Sequence, residues 1–448
     1  MLPTTVRRPS ITEWLASYLN PVDPTARALT WSTIASSLSK GVFFSVSVLY
    51  FTRVAGFPAT TVGLGLTIAG CLAVGAALGA GYLARTIGAR RVMVLATAGQ
   101  GIALLAYLLA RTPAAFVVVA SVAVCGQAMQ RTALTTMIAE SFTAADRLAV
   151  RARLRVVMNV FIALGTALAA IALAIDTKPA YQMAMLATGA LTLVAAYTLV
   201  RARRQPQATH VDIDPTPRTQ SGRPLRRSPL RDRTYLAITA LYALLSMQFG
   251  LLTVGMPLWV GGHTQTPAVT VAVLLAANTA IVSVLQLWAA HRTTDLRSSG
   301  RAIAQAGVLL ALACALYAIA AFGSLAIAVA VLVLAAIAHS LAEILSEAGS
   351  WTLAFELADP ANAAAYQGVS QTGAALGAML APLVATAAIE HGAAGWAILA
   401  AVFLAAALTT QALIRAREGQ HGMHQRDPIT QVRLCEGTAS GASQYTVG

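Results

Sequence analysis

The sequence predicts an all-α membrane protein with twelve transmembrane helices. Of its 448 residues, 57% are hydrophobic and 11% are charged, whereas about a quarter of the residues in an ordinary soluble domain are charged. Two stretches, 234–291 and 302–342, contain no Asp, Glu, Lys or Arg. Each is about twice the roughly 20 residues that a helix needs to cross a bilayer. A water-soluble enzyme, a nucleic-acid-binding protein and a secreted disulfide scaffold are therefore excluded.

Charges and turn-forming residues divide the chain into twelve apolar segments. Most of the breaks between them contain Gly or Pro, as at 56–58, 111–113, 261–267 and 391–392. The predicted spans run near 29–52, 59–83, 91–110, 114–138, 156–175, 180–200, 234–260, 268–290, 302–322, 325–350, 363–389 and 393–414.

The basic residues predict the orientation of these spans. With the N-terminus in the cytoplasm, 26 Lys and Arg residues lie on the cytoplasmic side and three lie outside. Because cytoplasmic loops carry the excess of Lys and Arg, we expect a multi-pass protein of the plasma membrane with both termini in the cytoplasm. The net charge of +14 then reflects topology and contact with anionic lipids of the bilayer. Nucleic-acid binding through the central loop is the alternative, but we expect no nucleic-acid partner.

A polar segment divides the spans into two groups of six. Residues 201–233 are rich in Arg and Pro, a composition typical of a linker. The predicted organisation is a cytoplasmic leader (1–28), two six-helix halves (29–200 and 234–416), this cytoplasmic loop between them (201–233) and a disordered tail (417–448). The four cysteines show no ligand spacing, so we expect neither a structural disulfide nor a zinc site. We also expect no other metal and no cofactor.

The loop between spans two and three carries a recognisable motif. It reads Gly81-Tyr-Leu-Ala-Arg-Thr-Ile-Gly88-Ala-Arg90-Arg91. This resembles the signature loop of the major facilitator superfamily, Gly-x-Leu-Ala-Asp-Arg-x-Gly-Arg-Arg, in the place where that family carries it. The resemblance covers about residues 27–416 and implies two pseudo-symmetric halves that work by alternating access. The basic start of span five and the Arg-rich composition are similar to those of actinobacterial drug and metabolite exporters.

The motif departs from the family pattern at Arg85, where the family usually has Asp. In the family that acid faces the start of span eleven, since a carboxylate is favourable at a helix N-terminus. The loop before span eleven contains Glu356 and Asp359 and no basic residue. We therefore expect a reversed pair in a cytoplasmic gate, with Arg85 and also Arg90 bound to Asp359 or Glu356. In the alternative interpretation, Arg85 anchors the loop to lipid phosphates.

Five ionisable residues fall within the predicted spans, where each is a functional candidate because an unpaired charge at membrane depth is costly. They are Lys40 in span one, Arg131 in span four, and His339, Glu343 and Glu347 in span ten. The last three are four residues apart and form one polar stripe along the helix. Its formal charge of −2 balances the +2 of Lys40 and Arg131. The resemblance implies that spans one, four, seven and ten line a central cavity.

Two interpretations of these charges remain open. In the first, Glu343 and Glu347 pair permanently with Arg131 and Lys40 as a clamp between the halves. In the second, one glutamate is desolvated when unpaired and takes up a proton as the halves move; we favour Glu343, which lies nearer the midplane. His339 is either a proton relay or a packing residue, and a metal site formed by the three stripe residues is the least favoured interpretation.

Other polar residues of the spans are candidates for binding the substrate. They are Gln127 and Gln130 in span four, Gln248 in span seven and Gln371 in span eleven. No Gly-rich nucleotide-binding loop with a Lys is present, so ATP does not drive the protein directly.

We therefore expect a secondary transporter rather than an enzyme. It couples protons to the efflux of a small drug-like molecule or secondary metabolite, as in multidrug resistance, and acts as a monomer. The alternatives are a nutrient or sugar importer, a uniporter, and a membrane-embedded enzyme that uses His339 and Glu343.

Overall fold

The structure is a computed structural model that describes residues 20–201, 228–267 and 269–439. Most of the predicted leader, the central loop from 202 to 227 and the last nine residues lie outside the described residues.

The first half contains six long helices that alternate in direction. They are α1 (Pro24–Leu49, continued by a π-helical segment at Tyr50–Val54), α2 (Ala59–Ile87), α3 (Ala89–Ala106), α4 (Pro113–Ser141), α5 (Ala144–Ile175) and α6 (Lys178–Arg201).

Six further helices form the second half. They are α7 (Arg233–His263, with a π-helical segment at Leu251–Gly255), α8 (Val269–Arg292), α9 (Leu296–Ile319), α10 (Leu325–Glu356), α11 (Ala363–Glu390) and α12 (Gly392–Ala439).

The predicted fold class is confirmed, because the chain forms two six-helix halves. Within the described residues, ten of the twelve helices are long and apolar enough to cross a membrane on those criteria alone. The other two, α1 and α3, are more polar. Helix α1 carries many Ser and Thr side chains and Lys40, and α3 begins with Arg90 and Arg91. The Ser39 hydroxyl of α1 donates a hydrogen bond to the Thr188 carbonyl of α6 over 2.8 Å.

Short polar residues define where several helices begin. Asp23 accepts from the Ala26 amide at the start of α1, and Asp232 accepts from the Tyr235 amide at the start of α7. Asp295 forms a capping box at α9. Each cap satisfies amide groups that the first turn of a helix leaves without partners.

Several helices begin earlier than predicted, α5 and α9 by the largest margins, and the last helix ends later. Helix α5 begins at Ala144 rather than 156, and α9 begins at Leu296 rather than 302. The arginines that we assigned to loops are therefore helical residues. Helix α12 continues to Ala439, although we expected a disordered tail from 417. A helix that already exists adds residues without paying again for nucleation.

Glycines let helices of the same half approach closely. A Cβ at Gly165 of α5 would collide with the Leu38 carbonyl of α1, and one at Gly377 of α11 would collide with Ser246 of α7. Small residues at helix crossings are the usual device for packing in lipid.

Candidate functional site

A charged seam joins the two halves along α5 and α10. Arg147, Arg151 and Arg155 follow one another at four-residue intervals on α5. The opposing face of α10, which runs antiparallel, presents Glu343, Glu347, Trp351 and Phe355 at the same interval. The α5 stripe extends over about 12 Å and the α10 stripe over about 18 Å, because a helix rises 1.5 Å per residue. The seam runs from the middle of the molecule to the end that carries the α2–α3 loop, here called the α2–α3 end.

Arg155 binds both glutamates of the opposite half. One guanidinium nitrogen lies 2.6 Å from Glu343 Oε1, and the other lies 3.2 Å from Glu347 Oε2. The Arg155 side chain is 18% exposed and each glutamate side chain is 5% exposed. Charge-assisted contacts of this kind are among the stronger hydrogen bonds in proteins. We call the group of Arg155, Glu343 and Glu347 the latch.

The second half supplies the remaining contacts of the latch. Tyr242 of α7 donates to Glu347 Oε1 over 2.9 Å, and Asn278 of α8 donates to Glu343 Oε2 over 3.2 Å. The Arg155 guanidinium lies 5.6 Å from the centre of the Phe249 ring. All four carboxylate oxygens of the latch are thus hydrogen-bonded. The satisfied carboxylates offset part of the cost of burying the charges, whereas the buried Nε atom of Arg155 has no hydrogen-bond partner among the described residues.

Towards the α2–α3 end, arginine side chains of α5 pack against aromatic rings of α10 and continue the seam. Arg151 lies 4.6 Å from the centre of the Trp351 ring, and Arg147 lies 5.9 Å from that of Phe355. Both distances are within the range of a cation–π interaction. Arg147 also donates to the Ala139 and Phe142 carbonyls at the end of α4, which fixes it beside the ring.

Helices α2 and α11 close the same end on a second side. A Cβ placed on Gly81 would lie 2.5 Å from the Ala364 carbonyl oxygen and 2.7 Å from Gly368 Cα. The two backbones therefore touch at Gly81, the first residue of the predicted motif. Near the middle of the molecule the same helices meet through the sulfur atoms of Cys71 and Met379, which are 3.8 Å apart. The halves are in contact from mid-height to the α2–α3 end.

Lys40 and Arg131 do not bind the glutamates in this structure, which contradicts the first of the two interpretations left open by the sequence, the permanent clamp. The ion pairs that join two described residues are those of the latch and one between Arg53 and Asp176. The long α5 helix brings Arg155 to the glutamates, so their charge is balanced without the two cations. Lys40 is half-buried and Arg131 is exposed.

Arg131 is exposed and borders the space between the two halves. Its charge is close enough to interact with Tyr242 of the second half, and the charges of Lys40 and Arg131 interact with each other. We call this space, bordered by these two cations and by the latch, the chamber. A cation that is both exposed to solvent and surrounded by protein is the arrangement expected of a wet cavity in a membrane protein.

The four candidate glutamines have different environments. Gln127 lies one turn before Arg131 on α4 and is half-exposed, and Gln371 of α11 is also half-exposed. Gln130 is instead buried, where its amide donates to Thr97 of α3 over 3.0 Å. Gln248 is 1% exposed, and neither atom of its amide group has a hydrogen-bond partner among the described residues. The expectation that all four line a cavity is therefore wrong for Gln130, because the sequence does not reveal which face of a helix packs inward. For Gln248 it stays a prediction.

His339 lies inside the second half and does not reach the chamber. It is 1% exposed, and its Nδ1 atom is 3.4 Å from the Tyr317 hydroxyl of α9. The stripe of three ionisable residues is therefore split, with the two glutamates at the seam and His339 in the helix packing. Within the described part of the chain, no group of three His, Cys, Asp or Glu side chains is arranged to hold a metal ion.

The predicted cytoplasmic gate is only partly assembled. Arg85 is exposed and its guanidinium lies 5.8 Å from the centre of the Tyr82 ring on its own helix. The ion pairs of the described residues do not include Arg85, so it does not form the predicted reversed pair in this structure. Arg90 instead donates to the Leu199 carbonyl at the end of α6 over 2.7 Å, because α3 packs beside α6.

The remaining gate residues have local roles. Asp359 accepts from the Ala361 amide at the start of a short 3-10 turn, whereas Glu356 and Arg91 are exposed. Gly88 joins α2 to α3 with a φ of +89°. Only glycine adopts this backbone conformation readily, so the sharp turn of the motif depends on Gly88.

Sequence reasoning missed Arg155 and Arg151 as functional residues. We counted both as basic residues of a cytoplasmic loop. Their four-residue spacing matches that of Glu343, Glu347 and Trp351, and this match was visible in the sequence. What the sequence does not contain is the packing of α5 on α10, which brings the two stripes together.

Comparison with known proteins agrees with this architecture. The sequence matches the family described as Major Facilitator Superfamily over residues 29–382. No curated protein sequence is detectably similar to the chain.

Three solved structures share the fold at low sequence identity. The human organic anion transporter MFSD10 (TETRAN) is 18% identical, with a TM-score of 0.62 over 88% of this chain and 99% of that chain. A bacterial homologue of the iron transporter ferroportin, in an outward-facing state, is 14% identical, with a TM-score of 0.68 over 88% and 99%. The transporter FucP in its outward conformation is 11% identical, with a TM-score of 0.65 over 89% and 99%. Together with the two six-helix halves and the Gly81–Arg91 loop, the family match shows that the chain belongs to the major facilitator superfamily of membrane transporters.

Proposed function

We propose that the chain is a proton-coupled exporter of a small drug-like molecule or secondary metabolite. In this proposal the α2–α3 end faces the cytoplasm of the cell, and the latch holds that end closed. The observation that carries the proposal is the binding of Arg155 of the first half by Glu343 and Glu347 of the second half. A charged contact between the halves must break whenever the cytoplasmic end opens.

The distribution of basic residues supports the cytoplasmic assignment. The α2–α3 end carries Arg85, Arg90 and Arg91, and α5 begins there with four arginines within its first twelve residues. The opposite end carries Arg53, Arg111 and Lys178. Because Lys and Arg accumulate on the cytoplasmic side of membrane proteins, the α2–α3 end is the inner one. The structure is then outward-facing, since the latch, the cation–π contacts and the Gly81 contact all join the halves on that side.

Protons act in the proposal through the charge of the latch. When Arg155 is bound, both glutamates have a positive partner. If Glu343 or Glu347 accepts a proton from the open side, it no longer attracts Arg155. By linkage, proton binding therefore favours the state in which the latch is broken and the cytoplasmic end is open.

The direction of proton movement follows from this linkage. In the cytoplasm-facing state the carboxyl groups meet water at higher pH and release their protons. The latch then reforms, and the transporter returns to the outward-facing state with its cargo. Protons enter the cell as cargo leaves, which is an antiport cycle driven by the proton gradient.

Reconstituted protein tests the proposal. Liposomes that contain a pH-sensitive dye report proton movement when a library of drug-like compounds is added under an imposed pH gradient. The wild type is expected to move protons only when a cargo is present, and in the opposite direction to it. The double variant Glu343→Gln, Glu347→Gln is expected to exchange cargo without moving protons.

The matched control is Asp176→Asn, which removes an ion pair at the opposite end. That pair joins Arg53 and Asp176 at 3.3 Å and lies within one half, so coupling is expected to be unchanged. Cargo-dependent proton movement that persists in the double glutamine variant would refute the coupling mechanism.

The same measurement separates the alternatives. Cargo and protons that move in the same direction would indicate an importer, and cargo movement without any proton dependence would indicate a uniporter. An enzyme would form product without movement. The enzyme interpretation has little support, because the His339 side chain is buried away from the chamber and Glu343 is held by Arg155 and Asn278.

A further inference from the structure

The chamber contains two cations that no acidic side chain balances. Lys40 lies near the middle of α1, and Arg131 lies near the middle of α4. Among the described residues neither side chain takes part in an ion pair, because Glu343 and Glu347 are both bound by Arg155. The charge balance between the stripe and the two cations that the sequence suggested is therefore not realised.

This arrangement is electrostatically unfavourable as it stands. Each cation lies at membrane depth without an acidic partner, and the two like charges are close enough to repel each other. A protein that needed only a wet cavity would not require either charge. Binding of an anion between Lys40 and Arg131 would relieve both penalties at once.

We propose that the cargo is an organic anion whose carboxylate or phosphate is bound jointly by Lys40 and Arg131. This inference rests on the proposed function and names the substrate class of the same chamber. The Arg131 guanidinium offers paired N–H groups in a planar fork that matches an oxyanion, and the Lys40 ammonium acts as a point charge. Gln127 lies one turn from Arg131 on the same face of α4, where it can donate a further hydrogen bond.

The surface beside the cations is apolar. Phe44 lies one turn after Lys40 on the same face of α1, and its side chain is 61% exposed. The site thus combines a cationic pair with an aromatic ring about 6 Å further along the helix, towards the open end. The cargo that fits is an amphiphilic organic anion with a ring or another flat apolar body beside its charged group.

Equilibrium binding to the purified full-length protein tests the substrate class without any pH gradient. The probes are 2-naphthoate and 2-naphthyl phosphate, with neutral 2-naphthamide as the matched control for the apolar body. The two anions are expected to bind and to raise the thermal unfolding temperature, whereas the amide is expected to bind at least about tenfold more weakly because it makes no charge-assisted contacts. Failure of both anions to bind, or equal binding of the amide, would overturn the inference.

Substitutions then locate the site. Lys40→Gln and Arg131→Gln are each expected to weaken anion binding by about tenfold or more, with the binding of the amide unchanged. Arg131→Lys keeps the charge and is expected to retain part of the affinity, and it replaces Arg131→Gln if that variant does not fold. Arg53→Gln, at the opposite end of the first half, is the control. Anion binding that survives both glutamine substitutions would place the site elsewhere and overturn the inference.

The outcomes distinguish this inference from the proposed function. Anion binding at Lys40 and Arg131 together with proton-independent transport would refute the proton coupling and leave the substrate class intact. Proton-coupled export of neutral compounds only, with no binding of the anionic probes, would refute the substrate class and leave the proton coupling intact.

Discussion

Neutralising the glutamates of the latch should shift the protein from the conformation in which the α2–α3 end is closed to the one in which it is open. The perturbations are Glu343→Gln, Glu347→Gln and the double variant. Glutamine keeps the shape of the side chain and removes its charge, so each variant mimics a protonated glutamate. Because the latch joins α5 to α10 across the two halves, its loss destabilises only the state in which the α2–α3 end is closed.

The expected size of the shift follows from the contacts of Arg155. Each single variant removes one charge-assisted contact, normally worth ~1.5–3 kcal/mol, and we take the lower limit because Arg155 is 18% exposed. That corresponds to a change of about tenfold in the ratio of the two conformations. The double variant leaves Arg155 without a carboxylate, for which we expect about 3 kcal/mol, or a change of roughly hundredfold.

Distances between spin labels measure this ratio. One label pair, at Thr86 and Thr294, spans the halves at the α2–α3 end, and a second pair, at Leu109 and Phe322, spans them at the opposite end. All four positions are exposed. In the double variant the first distance should lengthen as the second shortens, and acidification of the wild type should cause the same change.

The control is Asp176→Asn, whose ion-pair side chains are 60% and 56% exposed. Surface pairs of this kind contribute little, and this one does not cross between halves, so both distance distributions should stay as in the wild type. The reasoning is refuted if the double variant leaves the distribution at the α2–α3 end unchanged.

Three further predictions concern single residues. Gly81→Ala should open the α2–α3 end and reduce transport, because the new Cβ would collide with the backbone at Ala364. The control is Gly79→Ala, whose Cβ would have no atom within 4 Å. It should leave the label distances and transport as in the wild type. Gly88→Ala should lower the thermal unfolding temperature, because a non-glycine residue at a φ of +89° costs about 1–3 kcal/mol of strain; an unchanged melting curve would contradict this. His339→Gln should retain proton-coupled transport if this buried residue only packs, and uncoupled transport would instead assign it to a proton pathway.

Much of the architecture could be predicted from hydropathy and charge. Charge-free stretches such as 234–291 exceed the length of a membrane span, and the family match and the helices confirm the fold. The Gly81–Arg91 motif was found from the sequence, and the φ of Gly88 explains its second glycine. These features are local, because they depend on composition or on the conformation of a few adjacent residues.

The pairing of charges was not predictable in the same way. The sequence offered Lys40 and Arg131 as partners for Glu343 and Glu347, because all four lie within predicted spans. The structure binds the glutamates to Arg155, since α5 begins twelve residues before its predicted start and packs against α10. Likewise, only the packing shows that Gln130 and His339 face neighbouring helices.

The sequence by itself therefore determined that the chain crosses the membrane and which apolar stretches form the core of each helix, but it did not place Arg155 within a membrane-spanning helix. The tertiary structure alone decided which of the charged residues meet. The physical reason is that the hydrophobic effect selects apolar stretches without regard to their partners, whereas an ion pair forms only between groups a few ångströms apart. That separation is set by the contact of α5 with α10, whose stripes are about 190 residues apart along the chain.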